Sequence, residues 1–211
     1  MSKIFIIGLP RTGTTSISVA LLEMGLSVAH TGFTKKTFEM ADAISDAPCF
    51  SDYPHLDKLF PNSKFIYLTR ELDKWLPSIT MLLDKMAQRL DPKTGVFHPI
   101  LKRSFHHTFS VDLPLSHSEL TECYQRHEKD VRRYFENRDD FLSIDVSEPD
   151  SLLKMSQFLG LSAKDDATFP KLNVGRNVAS WREYKHPNKI NSNLAGVEHR
   201  KYFDYALSNI K

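Results

Sequence analysis

The chain has 211 residues, with 28 Lys and Arg against 26 Asp and Glu and 41% hydrophobic residues. That length suits one compact domain spanning residues 1–211, and the composition excludes a disordered or fibrous chain. A formal charge of only +2 leaves no whole-molecule field for nucleic acid, so an anion site has to be built locally.

The apolar run over residues 3–9 predicts a buried strand running into Gly8-Leu9-Pro10. Thr14 to Met24 reads as a helix, with Ile17, Leu21 and Met24 on one face and Gly25 as its stop. A second strand follows over Leu26 to His30, then a helix over Lys35 to Ile44 and a short strand over Cys49 to Asp52. Lys64 to Thr69 is a clear strand entered through Pro61-Asn62. Beyond it Leu72, Trp75, Leu76, Ile79, Leu82, Leu83, Met86 and Leu90 recur at helical spacing. Pro77 interrupts that pattern, so the regular helix is expected to start or kink there.

His117 to Asn137 predicts a helix, acidic early and basic late in accord with the macrodipole. Phe141 to Val146 predicts a strand, Asp150 to Leu159 a helix closed by Gly160, and Val197 to Ile210 a last helix. Residues 161–195 form the longest irregular stretch, of a kind that often carries function. Residues 88–109 read either as a mobile cover or as an irregular excursion. Strands alternating with helices predict an α/β fold, a mainly parallel sheet flanked by helices in three layers. Ligands of such sheets bind beyond the carboxyl ends of the strands.

Cys49 and Cys123 are too few for a disulfide scaffold and fit no zinc spacing. No stretch is long and apolar enough for a membrane span, and Met1-Ser2-Lys3 leads into no signal core. The expectation is a cytoplasmic protein without a membrane partner.

The chemistry concentrates in Gly8-Leu9-Pro10-Arg11-Thr12-Gly13-Thr14-Thr15-Ser16, between a strand and a helix. Glycines let successive N–H groups point inward, and the helix N-terminus adds unsatisfied donors. Three hydroxyls and the Arg11 fork complete a nest for phosphate or sulfate. A tight turn with a threonine cap would explain one glycine and one threonine but not the whole set. The glycine spacing also fits the nucleoside-triphosphatase loop, but Thr14 stands where the lysine for the terminal phosphates belongs.

Pro10-Arg11-Thr12-Gly13-Thr14-Thr15 resembles the 5′-phosphosulfate loop P-[KR]-x-G-T-T of sulfotransferases that use 3′-phosphoadenosine 5′-phosphosulfate. Phe65 to Arg70, followed by Ser78 eight residues after the arginine, resembles their 3′-phosphate signature. Asp52-x-Pro54, Trp75-x-x-Ser78, Phe158-Leu159-Gly160 and Phe169-Pro170 extend the likeness to compact sulfotransferase-like proteins with a P-loop α/β fold.

The resemblance implies transfer of a sulfuryl group to a hydroxyl or amine of a small-molecule or glycan acceptor, leaving 3′,5′-adenosine bisphosphate. It implies that Pro10, Arg11, Thr12, Gly13, Thr14, Thr15 and Ser16 hold the phosphosulfate, with Arg11 stabilising charge during transfer. Arg70 and Ser78 would hold the 3′-phosphate, with Arg176 beside them. Trp181 would belong to the closing segment or to the core.

Cytosolic relatives place a catalytic base in T-H-x-P. Ser51-Asp52-Tyr53-Pro54 stands as its match, making Asp52 the expected base, with His55 and His30 behind it. Asp52 could also cap a helix beginning near Pro54. His98, His106 and His107 follow no metal-ligand pattern, and Asp145 ends an apolar strand as in triphosphatases. No obligatory metal is expected. The alternatives are an ATP-dependent small-molecule kinase and a non-catalytic adenine-nucleotide-binding module.

Overall fold

The protein is described from a computed structural model, covering residues 2–109, 115–162, 167–170 and 181–194. Its core is a five-stranded sheet of β1 (Ile4–Ile6), β2 (Val28–His30), β3 (Ala43–Ser45), β4 (Lys64–Leu68) and β5 (Phe141–Ile144). The spatial order is β2-β3-β1-β4-β5, with every pair parallel. β1 is central, in register with β3 through Ile4–Ala43 and with β4 through Ile4–Lys64.

Seven helices connect and cover the strands: α1 (Thr14–Glu23), α2 (Lys35–Met40), α3 (Cys49–Leu59), α4 (Leu72–Leu90), α5 (Pro99–Phe109), α6 (His117–Tyr134) and α7 (Ser151–Leu159) among the described residues. Alternation of side chains along the strands sorts the core into two faces. Phe5, Ile7, Ile44, Phe65 and Tyr67 pack against α3 and α6 through Tyr53, Leu56, Val131 and Phe135. Ile6, Ala43, Ile66, Leu68 and Ile144 pack on the other face against Ile17, Leu21, Leu152 and Met155 of α1 and α7. A third cluster, including Trp75, Ile79, Phe105, Phe109, Leu120 and Tyr124, joins α4, α5 and α6.

The expected α/β architecture is thus present, with local differences. Lys35–Met40 is helical, but Ala43 and Ile44, expected to continue that helix, belong to β3. All three β3 residues are buried between β1 and β2, so sheet pairing prevails over helix continuation. Cys49–Asp52, expected as a strand, is the first turn of α3. α4 begins at Leu72 and runs through Pro77, whose ring is on the exposed side. Residues 88–109 include the ordered helix α5, whose Ile100, Phe105 and Phe109 are buried in the core. The expected helix at 197–210 lies outside the described residues.

The β2 edge is covered by the segment 181–194. Val28 N–H donates to Asn188 C=O and Ile190 N–H to Val28 C=O. Thr37 Oγ donates to the carbonyls of Asn191 and Ser192. No helix among the described residues is long and apolar enough to cross a membrane.

Candidate functional site

At the carboxyl ends of the strands lies a cavity of about 760 Å³. Its lining includes Pro10 through Ser16, His30, Asp46 and Arg70, with Lys74, Leu82, residues 145–149 and Thr168, Phe169 and Pro170 on other walls. The strand order changes direction at β1, and a crevice at such a point is where parallel α/β sheets take their ligands. The volume is of the size that holds a small-molecule ligand.

The floor is the loop from β1 to α1. Gly13 is the N-cap of α1 at φ 109°, a left-handed conformation that favours glycine. A Cβ at Gly13 would also come within 2.4 Å of Val146 Cγ2, so side chains are excluded on two grounds. α1 has no side-chain cap and no acidic residue in its first turn, leaving its N-terminal donors and dipole directed at the cavity. Arg11 is held at φ 73°, an uncommon conformation for a non-glycine residue. The loop is tied down from outside: Thr12 Oγ donates to Leu9 C=O at 2.7 Å, and Trp75 Nε1–H to Pro10 C=O at 2.9 Å.

Arg11 and Arg70 line the same cavity and are directly connected. Arg70 donates from Nη1 to Arg11 C=O at 2.7 Å, and Arg11 Nε–H donates to Ser78 Oγ at 2.8 Å. Ser78 touches the cavity only through Arg11, since it is not part of the lining. Burial, then the adjacent Arg70 charge, lowers the Arg11 pKa, while Asp46 acts in the opposite sense. Two guanidinium groups lining one cavity favour a ligand with more than one negative group. Tyr124 of α6 fixes Arg70: its hydroxyl accepts from Arg70 N–H and donates to Arg70 C=O, both at 2.9 Å.

Asp52 lies elsewhere. It is 4% exposed within the first turn of α3, and its carboxylate accepts from Arg103 at 2.5 and 3.3 Å and from Ser51 Oγ at 2.8 Å. It is not among the cavity residues. Nor does it cap a helix near Pro54, because α3 starts at Cys49 with Pro48 as N-cap. His55 is exposed on α3.

A carboxylate that does line the cavity, beside the 10–16 loop, is Asp46. Ser45-Asp46-Ala47-Pro48 carries the same Ser-Asp-x-Pro pattern six residues before Ser51-Asp52-Tyr53-Pro54. The earlier copy sits at the end of β3; the later one is inside a helix. Asp46 has φ 58°, and its Oδ1 accepts from Ala47 N–H at 2.9 Å. His30 at the end of β2 places Nε2 3.7 Å from Asp46 Oδ2. Its pKa is lowered by burial, with Asp46 pulling upward and Lys189 downward. Trp181 lies against the His30 ring, with centroids 5.3 Å apart.

Asp145 also lines the cavity, but its Oδ1 is taken by Ser147 N–H and Oγ. Among the described residues no group of three or more His, Cys, Asp or Glu gathers in a metal-binding arrangement. His98 stacks on Phe33 at 4.4 Å, and His106 Nε2 lies 2.9 Å from Leu90 C=O. Arg176 and residues 173–180 of the expected closing segment lie outside the described residues.

Comparison with known proteins adds three findings. No curated protein matches the chain. Among solved structures, the crystal structure of mouse sulfotransferase SULT7A1 complexed with PAP is similar at 16% identity, with a TM-score of 0.40. The match covers 78% of this chain and 61% of that one, so the chain spans less than two thirds of its length. The family described as Sulfotransferase domain matches residues 31–178, a stretch that begins after the 10–16 loop and takes in Asp46, Arg70 and Ser78. With that match covering more than half of its residues, the chain belongs to the sulfotransferase domain family.

Proposed function

We propose that the protein is a sulfotransferase that moves a sulfuryl group from 3′-phosphoadenosine 5′-phosphosulfate to a small-molecule or glycan acceptor. The observation that carries this reading is one cavity lined by the α1 N-terminus, Arg11, Arg70 and Asp46. The Pro10–Ser16 loop suits the phosphosulfate, with N–H groups and hydroxyls on its bridging and terminal oxygens. Arg70 suits the 3′-phosphate, and Ser78 holds Arg11 between the two ends.

Transfer breaks the bond from sulfur to the bridging phosphate oxygen and leaves charge on adenosine bisphosphate. The protein's part is then positioning and electrostatic stabilisation. Arg11 supplies charge and hydrogen bonds but no proton, because a guanidinium stays ionised. Asp46, in Ser45-Asp46-Ala47-Pro48 at the end of β3, lines the cavity and accepts the acceptor's proton. Asp46 replaces Asp52 in this role because Asp52 is bound to Arg103 outside the cavity.

Calorimetry with adenosine bisphosphate, adenosine 5′-phosphate and ATP–magnesium tests the reading. Adenosine bisphosphate is expected to bind most tightly and without magnesium, and Arg70→Ala to bring it down to the affinity of adenosine 5′-phosphate. Preference for ATP–magnesium would point to a kinase, and equal binding of the two adenylates would remove the 3′-phosphate site. Asp46→Asn should retain bisphosphate binding and lower transfer by roughly 10²–10⁴-fold.

A further inference from the structure

His30 and Asp46 form a pair whose protons can be counted. Three close polar contacts run in series from the imidazole: Nδ1 to Ser45 Oγ at 2.7 Å, Ser45 Oγ to Ser18 Oγ at 2.8 Å, and Ser18 Oγ to Thr14 C=O at 2.7 Å. The carbonyl can only accept, so the Ser18 proton is committed to Thr14. Ser18 then accepts from Ser45, and Ser45, its own proton used, accepts from His30 Nδ1–H. Ser18 Oγ also lies 3.4 Å from Nδ1, within reach of the same N–H, so this assignment gives each contact a proton. It anchors the imidazole to the first residue of α1 and leaves Nε2 with a bare lone pair whenever the ring is neutral.

Burial disfavours the imidazolium, in keeping with a neutral ring. Nε2 thus faces Asp46 Oδ2 at 3.7 Å, two proton-accepting atoms with no hydrogen between them, while Oδ1 is occupied by Ala47 N–H. Both side chains line the cavity that also contains Arg11. The charged groups acting on His30 are Asp46 and, from the 181–194 segment, Lys189.

A hydroxyl acceptor brings one proton to such a site. An ammonium group brings three and has to lose two before it is a neutral sulfamate nitrogen. We propose that Asp46 and His30 together receive a protonated primary amine, so that the acceptor class is an amine and the product a sulfamate. This rests on the sulfotransferase reading above.

In the reaction R–NH3⁺ gives one proton to Asp46, and the nitrogen lone pair then forms the N–S bond. The S–O bond to the donor phosphate breaks, and its electron pair leaves on adenosine bisphosphate. The second proton passes from the sulfonated nitrogen to His30 Nε2, giving R–NH–SO3⁻. Both protons afterwards exchange with solvent. The net change is one sulfuryl group transferred and two protons released.

The test uses the full chain with labelled donor and two matched acceptor pairs, 2-phenylethylamine against 2-phenylethanol and glucosamine against glucose. A small-molecule cell extract is assayed alongside, before and after acetylation of its amines with acetic anhydride in bicarbonate. Expected are transfer to the amine of at least one pair over its alcohol, and loss of label incorporation in the acetylated extract. His30→Asn, which keeps a donor for Ser45 but no base, should lower amine transfer by roughly 100-fold with bisphosphate binding unchanged. Nitrogen-15 spectra of the bisphosphate complex should show His30 protonated at Nδ1 and bare at Nε2.

Incorporation that survives acetylation, alcohols preferred in both pairs, no transfer to either amine or extract, or the opposite tautomer would each overturn the amine assignment. Failure to bind adenosine bisphosphate is the separate result that would overturn the sulfotransferase reading itself.

Discussion

Tyr124 grips both backbone groups of Arg70 with one hydroxyl, at 2.9 Å each, and its ring packs on Trp75 with centroids 4.9 Å apart. Trp75 in turn holds Pro10 C=O. Two aromatic side chains thereby fix the separation between the 10–16 loop and Arg70, although neither lines the cavity. Tyr124→Phe keeps the ring and leaves the Arg70 N–H and C=O without that partner. The loss should be about 1–3 kcal/mol in stability, measured by urea denaturation. Adenosine bisphosphate affinity should fall while that of adenosine 5′-phosphate, which lacks the 3′-group, stays near its parent value. A uniform loss for both nucleotides would mean that Tyr124 supports the whole cavity rather than Arg70.

At the scale of elements, each interior proline shows how the fold treats a freed carbonyl. A proline cannot donate to the residue four positions earlier, so Pro54 leaves Phe50 C=O without its helical partner. His127 of α6 fills that place, donating from Nε2–H at 2.7 Å. Burial pushes the His127 imidazolium down to about 4, so the ring is neutral and the Nε2–H tautomer is set by this bond. Pro77 of α4 stands on an exposed side, where the freed Asp73 carbonyl is open to solvent and needs no protein partner.

A double-mutant cycle separates this link from general packing. His127→Phe should cost about 1–3 kcal/mol by orphaning the carbonyl. Pro54→Ala returns an N–H to α3, and in that background the same change should cost on the order of 1 kcal/mol less. Equal costs in both backgrounds would show that the imidazole serves by packing alone.

For the molecule as a whole, what could be read in advance followed the length scale of the signal. β1 and β4 were visible because Ile4-Phe5-Ile6 and Phe65-Ile66-Tyr67-Leu68 are apolar runs buried on both faces. β3 was not, because three residues carry no period and their partners are distant in the chain. The 10–16 loop and Arg70, which line one cavity, each sit beside a readable strand. The place of Asp46 on the cavity is illegible for the same reason as β3: without the strand, the two copies of Ser-Asp-x-Pro look alike, and only the sheet distinguishes them. Tyr124, Trp75 and the Ser18–Ser45–His30 chain join residues far apart in sequence and leave no local pattern.

The 181–194 segment is the other long-range feature, and it bears on the site because it carries Trp181 to His30 and closes the β2 edge. Its attachment converges on Thr37, which is fully buried and donates to Asn191 and Ser192 C=O while accepting from Leu194 N–H. Thr37→Val keeps the shape and removes those bonds, whose carbonyl partners can turn to solvent, at a cost of about 1 kcal/mol. If the segment opens as its own unit, amide exchange should quicken first at Phe33 and Ile190, which bond to Ser192 and from Ile190 to Val28 across this junction. The β4 amides, paired inside the sheet to β1 and β5, should keep their protection. Equal acceleration in β4 would instead make the segment part of one cooperative unit with the sheet. His30 would then owe its position to the whole fold rather than to this strap.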